Sequence, residues 1–311
     1  MSKYMVTGGA GFIGSHITDR LLQDGHDVII VDNFMTGRRE NIAHLNSDVE
    51  IAEIDIRDAD AVKKAMRGVE FVFHQAALPS VPRSVANPME SHDVNVTGTL
   101  NLLIAARDAG VRRVIYAGSS SAYGDREEEF KVETMQPRVK SPYAAAKLAA
   151  ENYCLVFNEV YGMEAAIIRY FNVFGARQDP NSAYAAVIPL FATAMIDDMS
   201  PTIDGDGTQS RDFTHIENVV NGNLLAMASP NAPGQVFNVA CGDRITVLDL
   251  VENLNMLLGK SVEPRFGPPR QGDIKHSRAS IEKARTLLGY EPKVTFAEGL
   301  KKTLAWYQDQ G

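Results

Sequence analysis

Tyr143 and Lys147 lie four residues apart in Ser141-Pro142-Tyr143-Ala144-Ala145-Ala146-Lys147, a spacing that sets two side chains on one face of a helix. Ser141 suits the N-cap of that helix and Pro142 its first turn. A phenol titrating at about 10 is a poor base at neutral pH, but an ammonium one turn away favours its phenolate, which can take a proton from an alcohol. Alone, Tyr-x-x-x-Lys is more often a surface aromatic beside a solvated lysine. A second set of hydroxyls stands in Ala117-Gly118-Ser119-Ser120-Ser121-Ala122-Tyr123-Gly124. It closes a strand-like run, and a polar loop with local hydrogen bonds is the alternative there.

The segment Thr7-Gly8-Gly9-Ala10-Gly11-Phe12-Ile13-Gly14 fits G-x-G-x-x-G counted from Gly9 and G-x-x-G-x-x-G counted from Gly8. A strand precedes it, an amphipathic helix follows, and Asp32 closes the second strand about twenty residues on. Missing β-carbons let the backbone turn tightly and approach a pyrophosphate, whose charge is met by helix N-terminal amides. Asp32 can accept both hydroxyls of an adenosine ribose and would repel a 2′-phosphate, so NAD is expected over NADP. A cationic nicotinamide near Tyr143 would act with Lys147 in favouring the phenolate.

These side chains need a scaffold, and the patterning supplies one. Short β-branched runs at Tyr4 to Thr7, Asp27 to Val31, Val49 to Ile54, Val69 to Phe73, Val111 to Ala117 and Ala165 to Tyr170 alternate with helix-length amphipathic stretches, as strands and helices of parallel βαβ units do. The first helix is expected near Gly11, with Phe12, Ile13, Ile17, Leu21 and Leu22 on one face. The fold class is therefore α/β, a doubly wound parallel sheet whose carboxyl edge collects ligands. After about Phe171 the rhythm breaks into Gly/Pro/Asp-rich loops. Residues 1–170 read as the dinucleotide-binding domain and 171–311 as a smaller mixed α/β substrate-binding part, some of whose segments return to the first.

Composition narrows the function classes. With 311 residues, 45% hydrophobic and 23% charged, the chain has an ample core and is too apolar to stay disordered. No apolar run approaches the roughly 18 residues of a spanning helix. Thirty-one basic against 39 acidic residues leave a net charge of -8, a poor match to nucleic acid. Cys154 and Cys241 stand far apart and outside any metal-ligand pattern, so neither a disulfide nor a bound metal is expected. The start runs straight into a strand-like segment with no leader pattern, so a cytoplasmic protein that works away from membranes is expected.

The Gly-rich turn, the acidic end of the second strand, a serine at the end of the fifth and Tyr-x-x-x-Lys together resemble the extended short-chain dehydrogenase/reductase family. The resemblance runs over essentially the whole chain. His74-Gln75-Ala76-Ala77, Arg169-Tyr170-Phe171-Asn172-Val173-Phe174-Gly175, Ser210-Arg211-Asp212-Phe213 and Arg270-Gln271-Gly272-Asp273 resemble motifs of nucleotide-sugar 4-epimerases. Ser80-Val81-Pro82-Arg83-Ser84, Gln178-Asp179-Pro180-Asn181 and Gly272-Asp273-Ile274-Lys275-His276-Ser277 are similar to the bacterial UDP-N-acetylglucosamine 4-epimerase group.

The resemblance implies a Rossmann-type fold with NAD held by Gly8, Gly11, Phe12, Ile13, Gly14, Asp32, Asn33, Asp55, Ile56, Ala76, Ala77, Asn95, Tyr143, Lys147 and Tyr170. It implies Ser119, Tyr143 and Lys147 as the catalytic residues. It also implies a homodimer built on helices near Met89 to Ala109 and Ser141 to Tyr161. Dehydratases of the family carry an Asp-Glu pair at the places of Ser120 and Ser121, and UDP-glucuronate decarboxylases a glutamate at the place of Ser121. The serines here leave a hydride and one hydroxyl proton to move, which suffices for oxidation and re-reduction at C4.

On the substrate side, Arg211 and Arg270 suit a nucleotide diphosphate, since guanidinium pairs bidentately with phosphate oxygens; surface salt bridges are their alternative. By resemblance Asn172 also meets the diphosphate and Asp273 the uridine ribose. Ser80 and Ser84 are expected to face the sugar with Ser119, Ser121 and Tyr143. Ser277 falls where narrow-specificity relatives carry a tyrosine that crowds the sugar's C2 side, unless it merely caps a following helix or lies in a loop. His215 and His276 read as structural or peripheral. The expected activity is reversible C4 epimerisation of UDP-hexoses through hydride transfer to bound NAD and a 4-keto intermediate, most of all of UDP-N-acetylglucosamine and UDP-N-acetylgalactosamine and also of UDP-glucose and UDP-galactose. Its rivals are a UDP-glucuronate 4-epimerase and a non-catalytic NAD-binding regulator.

Overall fold

The computed structural model describes residues 2–45, 49–126, 128–181, 185–269 and 275–310. The first half runs β1 (Lys3–Thr7), α1 (Phe12–Gln23), β2 (Asp27–Asp32), β3 (Glu50–Glu53), α2 (Ala59–Ala65), β4 (Phe71–His74), α3 (Val81–Ala86), α4 (Pro88–His92), α5 (Gly98–Ala109), β5 (Arg113–Ser119), α6 (Pro142–Tyr161) and β6 (Glu164–Tyr170). The second half runs β7 (Val173–Phe174), α7 (Val187–Ile196), β8 (Thr202–Asp204), β9 (Ser210–Arg211), β10 (Thr214–His215), α8 (Ile216–Ala228), β11 (Val236–Val239), β12 (Ile245–Thr246), α9 (Val247–Leu258), β13 (Arg265–Gly267), α10 (Glu282–Leu288) and α11 (Phe296–Asp309).

Among the described residues the main sheet has seven strands in the order β11-β6-β5-β4-β1-β2-β3, every pair parallel. Alternation along each strand decides which helices cover which face. Tyr4, Val6, Ile30, Phe73, Ile115 and Ile168 pack one way, with Ile17 and Leu21 of α1 and Val219 and Val220 of α8. Met5, Ile29, Val31, Val72, Val114, Tyr116 and Ile167 pack the other way, with Leu102 and Leu103 of α5 and Ala150, Cys154 and Phe157 of α6. Both faces are dry, which is why the central strands read as continuous apolar runs.

Each of the six expected strands is present. The fifth reaches Ser119, two residues past its expected end, which carries that hydroxyl to the sheet edge. The seventh, β11, comes from the second half of the chain: Val-Phe-Asn-Val is too short and too polar at Asn238 to stand out among Gly/Pro loops, and its pairing with β6 is long-range. A separate apolar cluster joins Phe174, Phe191, Met195, Phe213, Leu250, Leu254, Leu300 and Leu304. No described helix is long and apolar enough to cross a membrane.

Candidate active site

The turn between β1 and α1 is packed backbone against backbone. Gly8 has φ +65, and a β-carbon on it would lie 2.7 Å from the Ala76 nitrogen at the end of β4. A β-carbon on Gly14 would run into the Gly8 carbonyl oxygen and stand 2.8 Å from its carbon. Thr7 Oγ1 accepts the Ala76 N–H at 3.2 Å, so the tips of β1 and β4 are tied side by side. At the tip of β2, Asp32 accepts the Ala10 N–H at 3.0 Å and the Phe34 N–H at 2.9 Å. Burial nevertheless pushes its carboxyl up. Asn33 donates to Asp55 at 2.8 Å, and Arg57 beside it holds the Asp55 carboxyl down to about 2.

Helix α6 begins as its sequence dictates. Ser141 Oγ accepts the Ala144 N–H at 3.1 Å, its carbonyl accepts the Ala145 N–H at 3.0 Å, and Pro142 has no N–H to satisfy. The remaining first-turn donor, the Tyr143 N–H, goes to Ser84 Oγ at 3.0 Å. Orphan donors of the first turn are thus all paired, which fixes where Tyr143 stands.

Burial pushes the Tyr143 phenol's pKa up, and the neighbouring Ser119 hydroxyl draws it part of the way back. Ser119 Oγ lies 2.8 Å from Ser121 Oγ and accepts the Ser121 N–H at 3.2 Å. One turn along α6, Lys147 is 4% exposed, its Nζ 4.3 Å from the centre of the Tyr116 ring. Burial pushes this ammonium down to about 7, with Cys154 and Glu151 opposing. Glu151 in turn grips Arg169 of β6 at 2.5 and 3.0 Å. The arrangement can pass a proton between a substrate hydroxyl and Tyr143, with Ser119 as a hydrogen-bond partner.

Two expected contact residues are bound into the frame of the site. Ser84 is 1% exposed, and besides accepting from Tyr143 it donates to the Val81 carbonyl at 2.7 Å, so its hydroxyl is engaged twice within the protein. Asn95 is equally enclosed: it accepts the Leu78 N–H and donates to the Leu78 carbonyl and to Ser91, pinning the chain that leaves β4. Ile56 is buried under α5, where a β-carbon on Gly98 would meet its side chain at 2.6 Å, so its backbone alone is available. The Tyr170 hydroxyl stands 3.0 Å from side-chain oxygens of Gln75 and Asn223. Ser80, half-buried at φ +108, caps α3 by accepting the Arg83 N–H at 3.2 Å.

On the far side, Asn172 accepts the Thr214 N–H through its carbonyl at 3.2 Å and donates from its amide to the Asp212 carbonyl at 3.4 Å. Arg211 donates to the Ser210 and Lys275 carbonyls at 2.9 and 3.4 Å. The Ser277 N–H reaches the Ser210 carbonyl at 3.1 Å, and Ser277 does not cap α10, whose N-cap is Ile281. Arg270 and Asp273 lie outside the described residues. His215 is buried, caps α8 and is pushed down to about 4 by burial, a structural residue as expected.

A family model described as the NAD dependent epimerase/dehydratase family matches residues 4–240. The chain belongs to that family. The UDP-glucose 4-epimerase of Mycolicibacterium smegmatis is 40% identical over 312 residues, covering 99% of each protein. The solved UDP-N-acetylglucosamine 4-epimerase from Methanobrevibacter ruminantium, in complex with UDP-N-acetylmuramic acid, has a TM-score of 0.95 at 40% identity over 100% of this chain and 99% of its own. The Thermus thermophilus UDP-glucose 4-epimerase in complex with NAD has a TM-score of 0.90 at 37% identity over 98% and 99%.

The cradle fits the cofactor of an NAD dependent epimerase/dehydratase. The backbone-on-backbone packing that Gly8 and Gly14 permit leads the turn straight into the start of α1, where helix N-terminal amides favour a pyrophosphate. Gly11, Phe12 and Ile13 share that turn, Asp32 closes it with a buried carboxylate, and Ala76 and Ala77 leave the neighbouring strand beside it. Bound NAD would supply a hydride acceptor that gives the hydride back. Lys147 lies over the Tyr116 ring of β5, and Tyr143 stands one turn before it on α6, near Ser119 at the end of that strand.

Sequence reasoning missed several groups that shape this epimerase/dehydratase site. Gly37 lies so close to Asp32 that a β-carbon would stand 2.6 Å from its Oδ2, and the Thr36-Gly37 pair after the second strand was the available signal. His74, read only as part of a motif, is wholly buried between Thr7 Oγ1 at 2.7 Å and Thr99 Oγ1 at 2.9 Å. The Glu151–Arg169 pair gave no signal, because eighteen residues separate its partners in the sequence.

Proposed function

We propose that the chain interconverts UDP-hexoses at C4, acting on UDP-N-acetylglucosamine and UDP-N-acetylgalactosamine and also on UDP-glucose and UDP-galactose. The observation that carries this reading is Ser119 beside the Tyr143 phenol, with Lys147 one turn on and with serines, not carboxylates, at 120 and 121. Tyr143 takes the proton from O4 as the hydride leaves C4, and Ser119 hydrogen-bonds the same oxygen. Without an acid-base pair for C5 and C6, the 4-keto sugar has one way forward, which is reduction from its other face after it turns in the pocket. Family membership and relatives named as UDP-sugar 4-epimerases support the activity. Breadth toward acetamido sugars is supported by the small Ser277 next to the Ser210–Arg211 strand.

The test is turnover on a panel of UDP-sugars with product resolution. Epimer formation from both acetylated and non-acetylated pairs is expected, with no reductant consumed. Turnover of UDP-glucuronate alone would replace this reading with its acidic-sugar counterpart, and bound NAD without any turnover would favour a regulator.

The assembly we propose is a homodimer. Val85, Met89, Val156 and Val160 are 64, 66, 49 and 65% exposed on α3, α4 and α6, which pack on one another, and large apolar side chains exposed on these neighbouring helices support an interface there. A dimer mass by light scattering is expected; a monomer would refute the assembly and leave the chemistry untouched.

A further inference from the structure

Asp212 follows Arg211 in sequence but does not pair with it as a surface aspartate would. Its side chain has no exposed surface. One carboxylate oxygen accepts the Cys241 N–H at 3.0 Å, and the other accepts the Gly242 and Ala279 N–H groups at 3.0 Å each. These donors lie on segments remote in sequence. Cys241 and Gly242 follow β11 and lead to Arg244, which donates to Ser210 Oγ at 3.1 Å and stands 3.2 Å from the His276 ring. Ala279 closes the segment that carries Lys275, His276 and Ser277. That segment is stitched to β9 by the Ser210 and Ser277 N–H groups and by Ser210 Oγ at 2.9 Å from His276 Nδ1.

We propose that Asp212 is a positioning residue for the substrate half of the site, a carboxylate knot that holds three backbone segments in register so that Arg211, Arg244, Lys275 and His276 converge on one anionic group of the substrate. The inference rests on the UDP-sugar reading above. Its physical basis is donor counting: an ionised carboxylate accepts all three N–H groups, whereas an acid or an amide puts a donor among donors, and a buried donor left without a partner costs more than the bond was worth. Burial pushes this carboxyl up to about 7 with the neighbouring Asp243 adding to the push, while the three N–H groups draw it back. The assembled groups are cationic or hydrogen-bond donating, which suits a diphosphate.

The test is Asp212→Asn, which keeps the volume and removes one acceptor. The expected result is a rise of about tenfold or more in KM for the UDP-sugar and in Kd for UDP by calorimetry, with kcat and retained NAD changed less than about threefold. Unchanged KM and Kd overturn the proposal, as does a parallel fall of kcat and NAD content, which marks general damage to the fold. If the variant does not fold, amide exchange of the wild-type holoenzyme decides: UDP should slow exchange at Cys241, Gly242 and Ala279 together, and no change there overturns the knot. A wild-type protein that fails to bind UDP overturns the UDP-sugar reading itself and takes the knot's substrate role with it.

Discussion

The Ser84 hydroxyl accepts the backbone N–H of Tyr143 at 3.0 Å across 59 residues of sequence, so α3 sets the starting point of the helix that carries the phenol. Ser84→Ala leaves that donor without a partner in an enclosed place, a cost of about 1–2 kcal/mol. Turnover should fall while KM stays within about twofold, because Tyr143 acts on the transition state and not on substrate binding. Steady-state kinetics with a urea melt checks both parts, and wild-type kcat in the variant would remove the role.

Tyr143→Phe keeps the ring and its packing and deletes the proton acceptor. A loss of about 10²–10⁴-fold in kcat is expected, with UDP affinity within about threefold of wild type. Near-normal turnover would reassign the base.

Gly14→Ala tests the cradle. Inside a helix alanine is intrinsically better than glycine by about 1 kcal/mol, so any loss comes from the β-carbon meeting Gly8 backbone. NAD released on denaturing the purified variant should drop by about tenfold or more relative to wild type, since the turn must open to relieve the contact. Full NAD content would show that the turn yields without harm.

His74 carries a pH dependence of known sign. Burial, with Lys147 adding to it, pushes the ring down to about 3, whereas an unfolded histidine titrates at about 6.5. Between those values the unfolded chain binds the extra proton, so stability is lost as pH falls. From pH 7 to 5 the wild type should lose about 2 kcal/mol more than His74→Asn, read from urea midpoints at matched NAD. Parallel pH slopes would show that His74 titrates normally.

Ser277→Tyr tests sugar breadth. The residue is half-buried beside the Ser210–Arg211 strand and caps no helix, so a phenol added there intrudes on the substrate half. Turnover of UDP-N-acetylglucosamine should be abolished while UDP-glucose is spared, because steric exclusion outweighs a lost contact. Retained acetamido-sugar activity would take away the physical support for that preference.

What the sequence determined by itself was local. Missing β-carbons in Gly8 to Gly14, the Ser141 cap with Pro142, the four-residue step from Tyr143 to Lys147 and the alternation of apolar strands each follow from spacing within about one helical turn or one strand. Those regularities suffice to place a dinucleotide cradle and a phenol-ammonium pair on a doubly wound sheet. Tertiary structure alone decided which polar groups are spent inside the molecule. Ser84 and Asn95 have the side chains of ligand contacts, and only packing shows their oxygens and nitrogens already used. His74 finds Thr7 across 67 residues, and Asp212 finds Ala279 across 67. The reason is physical: buried donors and acceptors must be paired, but any partner of the right chemistry will serve, so the pairing is set by which segments the fold brings together and leaves no periodic trace in the chain. The seventh strand escaped notice for the same reason, since Val236–Val239 is a strand only because β6 offers it an edge.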